Sequence, residues 1–108
     1  MKRANLKDFH RGWMIGDFEP SILRTKDFEV GVLKHKKGEN WPRHHHKIAT
    51  EYNVLLKGKM TINGVPIEKN EIFVIEPGEI TKAEFKTDCK VLVIKTPSIP
   101  TDKYINIE

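Results

Sequence analysis

The chain has 108 residues, 38% hydrophobic and 31% charged, with a formal net charge of +4, which is the size and balance of one globular domain around one core. A single cysteine, Cys89, excludes an intramolecular disulfide and fits a reducing compartment, and no apolar run approaches the ~20 residues that span a bilayer. Basic residues are spread along the chain rather than gathered into a stripe with interleaved aromatics, so neither nucleic acid nor a membrane is expected as a partner. With no apolar signal-peptide region behind Met1-Lys2-Arg3-Ala4-Asn5, a cytoplasmic location is expected.

Residues 13–20 mix aromatics with turn residues and are expected to pack as an N-terminal arm. Residues 28–34 alternate well enough for a strand. Gly38-Glu39-Asn40 signals a turn, and residues 43–47 follow as a histidine-rich strand. Residues 52–56 are β-prone and turn at Lys57-Gly58-Lys59. Residues 60–62 lead into Asn63-Gly64, a hairpin signal. Residues 65–68 return as a short strand in which Pro66, lacking an amide donor, belongs at a sheet edge. Residues 72–75 read as a buried strand, Pro77-Gly78-Glu79 as a turn before residues 81–85, and residues 90–95 as the last strong strand. Pro97 and Pro100 end regular structure. Short strands separated by turns, without helical periodicity of useful length, predict an all-β barrel or sandwich. Within one domain, 1–108, residues 1–27 form the arm and first strands, 28–96 the barrel core and 97–108 a C-terminal tail.

The chemistry concentrates in His44-His45-His46 and Glu51. Side chains at i and i+2 of a strand share a face. His44 and His46 therefore aim at one point, with His45 turned away. Glu51 can bring a carboxylate to that point if the chain bends between. Two imidazoles and one carboxylate leave open coordination positions and suit Fe(II), Mn(II), Ni(II), Zn(II) or Cu(II). The plainer alternative is a polar surface loop; a purification tag is excluded by the internal position. By alternation Asn53 and Leu55 share the face of Glu51, and Tyr52 points away. Asn53 either contacts a ligand or is a satisfied polar core residue. Trp41, just before His44, lines the mouth of the site or packs. His10 and His35 are expected at the surface, and Cys89 as a small residue near the core.

The spacing Gly38-x5-His44-x-His46-x4-Glu51-x6-Gly58 resembles the first signature motif of the cupins, with every fixed position filled. The resemblance implies a double-stranded β-helix, a jelly-roll barrel with one divalent transition metal ion (Fe, Mn, Ni, Zn or Cu) inside. In the stretch similar to the second cupin motif, Gly78 matches, while Asn70, Glu76, Thr81 and Phe85 stand where the family has Gly, Pro, His and Asn. Thr81 thereby takes the place of a fourth ligand. A neutral hydroxyl is a poor ligand for such metals, so Thr81 is expected to line the barrel and leave a position open. Glu84 faces away by alternation, and Glu79 lies in a turn.

Two classes of function follow. One is a metal-dependent enzyme of isomerase, lyase or dioxygenase type, acting on a sugar or small carboxylate. The other is a non-catalytic module that binds a sugar or small effector. Beyond the ligands, Glu79 and Tyr104 are the only general-base candidates. Cupins commonly pair, and the arm from Phe9 to Phe18 and the tail Tyr104-Ile105-Asn106-Ile107 carry more apolar residues than free termini should expose; a homodimer is expected.

Overall fold

The computed structural model describes residues 1–107. In chain order the strands are β1 (Trp13–Gly16), β2 (Leu23–Arg24), β3 (Glu29–His35), β4 (His44–His45), β5 (Thr50–Lys57), β6 (Met60–Ile62), β7 (Val65–Ile67), β8 (Ile72–Ile75), β9 (Ala83–Phe85), β10 (Cys89–Thr96) and β11 (Tyr104–Ile105). The larger layer is a six-stranded sheet in the order β2-β1-β3-β10-β5-β8. The facing layer joins β7-β6-β9 to β4-β11 through the bridges Asn40–Glu84 and His44–Thr81. Two short 3-10 helices, Leu6–Asp8 and His10–Gly12, precede β1. The result is an all-β barrel, as the strand spacing predicts, of the double-stranded β-helix type that the motif's resemblance implies.

Alternation along β10 shows why the layers close. Cys89, Val91 and Val93 are buried between them, while Lys90, Leu92 and Ile94 face outward. In register beside them stand Leu55 and Asn53 of β5. With Met60, Ile67 and Phe85 from the facing layer they form the core, each large apolar side chain contributing roughly 1.5–3 kcal/mol of burial. Gly31 leaves room for Trp13, whose ring carbon would lie 2.7 Å from any Cβ there. The core packs toward one end of the barrel and forms the inner wall of a cavity. At the other end the inward row is charged: Glu29, Lys95 and Glu51 pair across β3, β10 and β5.

The turns follow local chemistry. Asn63 (φ 51) and Gly64 (φ 78) are both left-handed, as a tight β6–β7 hairpin demands. Pro66 sits on β7, the edge of its sheet, as expected. Gly58 has φ +97, and a Cβ there would come within 2.3 Å of the Asp88 carbonyl oxygen. Asn70, standing where the second motif has glycine, adopts φ 69, which asparagine tolerates better than most residues.

Three expectations are corrected. Residues 72–75 are not a buried strand: β8 is a sheet edge, with Ile72 and Val74 exposed on its outer side. The histidine strand is cut to His44–His45, because the chain after it bends into the loop that leads to Glu51. Trp13–Gly16 is not an arm laid on the barrel but a strand hydrogen-bonded within it, with a register shift between Trp13 and Ile15.

Candidate metal centre and its cavity

His44, His46, Glu51, Asn53, Thr81 and Trp41 line one cavity of about 450 Å³ that also reaches the core residues Met60, Phe85, Val91 and Val93. The site residues expected from sequence are thus brought together. Glu51 and Asn53 project inward from β5 two residues apart. His44 hydrogen-bonds through its backbone to Thr81 in both directions, at 3.1 and 2.9 Å, so the two are paired antiparallel neighbours with side chains on one face. Thr81, 6% exposed, therefore occupies the wall beside His44. His45 turns away, stacking on Tyr104 and meeting Asn106 Oδ1 through Nδ1 at 2.7 Å.

Each inward imidazole is tied at Nδ1 to a main-chain carbonyl. His44 Nδ1 donates to Pro42 O at 3.2 Å, and His46 Nδ1 donates to Asp102 O. A carbonyl only accepts, so the Nδ1 atoms carry the protons and the Nε2 lone pairs are left for the cavity. His46 Nε2 then stands 3.0 Å from Glu51 Oε2. Two acceptors hold that distance only with a proton or a cation between them. Two ligands at right angles on one ion, each ~2.1 Å away, have donor atoms ~3.0 Å apart, so the pair has the spacing and the chemistry of two metal ligands. The rings of His44 and His46 are 5.4 Å apart and nearly perpendicular. Among the described residues, no three His, Cys, Asp or Glu groups are already arranged around one point to hold an ion; the donor set fits a metal, and completing it requires movement of a side chain.

Charges follow the geometry. The hydrogen bond to Glu51 raises the His46 pKa against its burial, and the Asp102 carbonyl adds to that. Burial pushes Glu51 up, but His46 and Lys95 outweigh it and hold the carboxyl below its ordinary range. Burial lowers His44, with nearby Lys103 acting the same way.

Sequence reasoning missed the support of this site. The Asp102 carboxylate, a buried side chain of the tail, accepts the backbone N–H groups of Lys47, Ile48 and Ala49 at 2.9, 3.0 and 2.9 Å. The loop from His46 to Glu51 is wound around that carboxylate. Trp41 is fixed from two sides. Its indole N–H donates to Glu39 Oε2, which also meets His35 Nδ1 at 2.6 Å, and Lys82 Nζ reaches the Trp41 carbonyl oxygen. His35 is consequently buried, stacked on Phe85, and not at the surface. Burial raises Glu39, but the His35 and Trp41 hydrogen bonds prevail and hold it low. A lone aspartate after a proline, and a glutamate four residues past a strand histidine, were the only signals for these anchors. Glu79 and Glu84 are exposed outside the cavity, and Cys89 is buried in the core with its thiol near the Lys59 and Thr87 carbonyl oxygens.

A double-stranded β-helix is the fold of the cupins, and solved structures agree on the fold. A protein with a double-stranded β-helix domain from Klebsiella pneumoniae subsp. pneumoniae superposes with TM-score 0.67 at 17% identity, over 81% of each chain. An RmlC-like cupin from Desulfovibrio desulfuricans is 28% identical, with TM-score 0.60 over 69% of this chain and 76% of that one. The DMSP lyase DddQ from Ruegeria pomeroyi matches 96% of this chain and 59% of its own at 16% identity and TM-score 0.67. No protein-family profile and no curated protein matches the sequence. This chain has the fold of the cupins. Among its described residues no helix is long and apolar enough to cross a membrane.

Proposed function

We propose that the protein is a divalent-metal-dependent cupin enzyme that acts on a small molecule in the barrel cavity. The observation that carries this reading is the 3.0 Å approach of His46 Nε2 to Glu51 Oε2, with the opposite ring nitrogen already committed to a carbonyl. His44, His46 and Glu51 would hold the ion, and the position beside Thr81 would stay open to a ligand. A bound divalent ion supplies Lewis acidity toward a carbonyl or hydroxyl oxygen. The chain would orient that oxygen beside Thr81, while the aromatic and aliphatic wall of Trp41, Phe73 and Ile62 excludes water. That a lyase is among the structural neighbours supports an enzymatic reading of the cupin class.

The second reading, a non-catalytic binding module, is favoured by one observation. Both expected bases lie outside the cavity: Glu79 caps its own turn by accepting from the Glu76 N–H, and Tyr104 stacks on His45. Metal analysis of protein purified without chelator, followed by incubation with a panel of sugars and keto acids, separates the readings. The expected result is about one metal per chain in the wild type, its loss in a His44→Ala/His46→Ala variant, and turnover of at least one compound. Equal metal content in both proteins sinks the metal centre; saturable binding without turnover establishes the module.

A further inference from the structure

Besides the ligand trio, the cavity gathers three cations that the metal reading does not use: Arg11, Lys95 and Lys103. Lys95 continues the inward row of β10 beyond Val93 and lies 3.6 Å from the buried Glu29. Arg11 and Lys103 come from opposite ends of the chain. Their charged ends stand over the Trp41 ring, 4.5 and 4.4 Å from its centroid. Among the described residues, neither is ion-paired to a carboxylate. Burial lowers the Lys103 pKa, and repulsion from Lys95 and Arg11 lowers it further against the attraction of Glu51, so the three cations lie within reach of one another. Arg11 is also held in the left-handed region (φ 54, ψ 23), a conformation that costs a non-glycine residue on the order of 1 kcal/mol. The fold spends that to keep the guanidinium at the cavity mouth.

A second observation lies deeper. Asn53 is 3% exposed, and its Nδ2 completes no hydrogen bond of ordinary geometry. Its N–H acts on the neighbouring Glu51 carboxylate only weakly, last among the influences on that group. A buried amide donor without a partner costs about 1–3 kcal/mol, which an acceptor entering the cavity would recover.

We propose that Arg11, Lys103 and Asn53 form a subsite that holds the oxyanion group, carboxylate or phosphate, of a small organic acid beside the His44–His46–Glu51 trio. An arginine fork and a lysine point charge suit an oxyanion. The indole beneath them keeps both heads in place through cation–π attraction. Glu29 and Lys95 offset one another, as do Glu19 and Arg24 at 3.3 Å, and the Glu51 carboxylate is engaged with His46 at 3.0 Å. The charge left over at the mouth is therefore positive, and a neutral sugar would leave it uncompensated. The position of the reacting end of the ligand rests on the metal-cupin reading; the anion subsite itself does not. The plainer reading makes Arg11 and Lys103 solvated surface cations resting on a tryptophan, whose removal leaves ligand binding unchanged.

The test is a titration of the full chain, metal-loaded and chelator-treated, with malonate, inorganic phosphate and ribose at fixed ionic strength. Malonate or phosphate should saturate the protein, with an affinity that falls as salt is raised, and ribose should not. The stronger of the two anions tells a carboxylate ligand from a phosphate ester. An Arg11→Gln/Lys103→Gln variant should bind the better anion roughly tenfold more weakly or worse, and Arg11→Lys/Lys103→Arg should restore most of it. Equal anion affinity in the wild type and the double glutamine variant, or ribose binding as tightly as the anions, overturns the subsite. Anion binding by a chain that takes up no metal upholds the subsite and sinks the metal reading. Metal uptake without anion binding does the reverse.

Discussion

At the scale of single residues, the pairing of His44 with Thr81 decides what a substitution at Thr81 does. The two are hydrogen-bonded neighbours on one face, so a histidine at 81 would bring a third imidazole beside the first. Thr81→His is expected to tighten metal binding by roughly tenfold or more, the scale on which even indirect ligand contacts act, and to narrow access for a ligand. Unchanged affinity with a stability loss of about 1–3 kcal/mol would mean that Thr81 is only a wall. Acidity bears on the same atoms. Because His46 is raised above the ordinary 6.5 by Glu51, it keeps its proton to higher pH than a free imidazole does, and an incoming ion must displace that proton. Metal affinity should therefore begin to fall, as pH is lowered, at values above 6.5; a titration series with its onset clearly below that value would contradict the assigned His46–Glu51 contact. That His44 and His46 share a face was legible from strand parity, whereas Glu51 and Thr81 were marked by the spacing of the motifs that resemble those of the cupins. Arg11 and Lys103 were not, since only the closed barrel carries the two ends of the chain to one tryptophan. The burial of His35 escaped for a related reason: its partners, Glu39 and Phe85, are supplied by a turn and by a strand of the other layer.

At the scale of elements, the C-terminal tail holds the candidate metal loop in shape. The motif leaves four residues between His46 and Glu51, and regular strand continuation would put them on opposite faces. The wrap of residues 47–49 around the Asp102 carboxylate is what returns Glu51 to His46, while the main-chain oxygen of Asp102 fixes the His46 ring. Nothing local announces this: Asp102 lies more than fifty positions from the loop, in a segment marked only by prolines. Asp102→Ala should leave three amides without their acceptor and cost about 2–4 kcal/mol, with Asp102→Asn losing less, as read from thermal or denaturant unfolding. Burial raises the Asp102 carboxyl, but the Ala49, Lys47 and Ile48 hydrogen bonds overcome it and the net pKa is lowered. A depressed carboxyl stabilises fully above its unfolded value, near 3.8, and loses that contribution as pH falls through the lower folded value. The stability gap between wild type and Asp102→Asn should thus be constant near neutrality and shrink only in strong acid. A gap that closes between pH ~7 and ~5 would assign the stabilisation to another group.

At the scale of the whole molecule, the two layers differ in what their outer faces show. Outside the six-stranded sheet, Val30 and Val32 of β3, Leu92 and Ile94 of β10, Tyr52 and Val54 of β5, and Ile72 and Val74 of β8 stand side by side in register. Tyr52, Ile72 and Val74 are exposed outright. A contiguous apolar face of this kind is rare on a chain that works alone. At one end Lys34, Lys90 and Lys57 pair across three strands; such like-charged neighbours repel. Two copies stacked antiparallel through this face cover the apolar rows and leave their lysine ends at opposite edges, whereas a parallel stack would force the six lysines together. We therefore propose the outer sheet face as the contact of the expected homodimer, rather than the arm, whose Trp13–Gly16 is already engaged as β1. Light scattering at high micromolar concentration should give twice the mass of one 108-residue chain, and a Tyr52→Glu/Ile94→Glu variant should give a single chain's mass while still taking up metal. A wild-type monomer at that concentration rules the dimer out, and a variant that remains dimeric moves the contact back to the tail, where Tyr104 and Ile105 are also exposed.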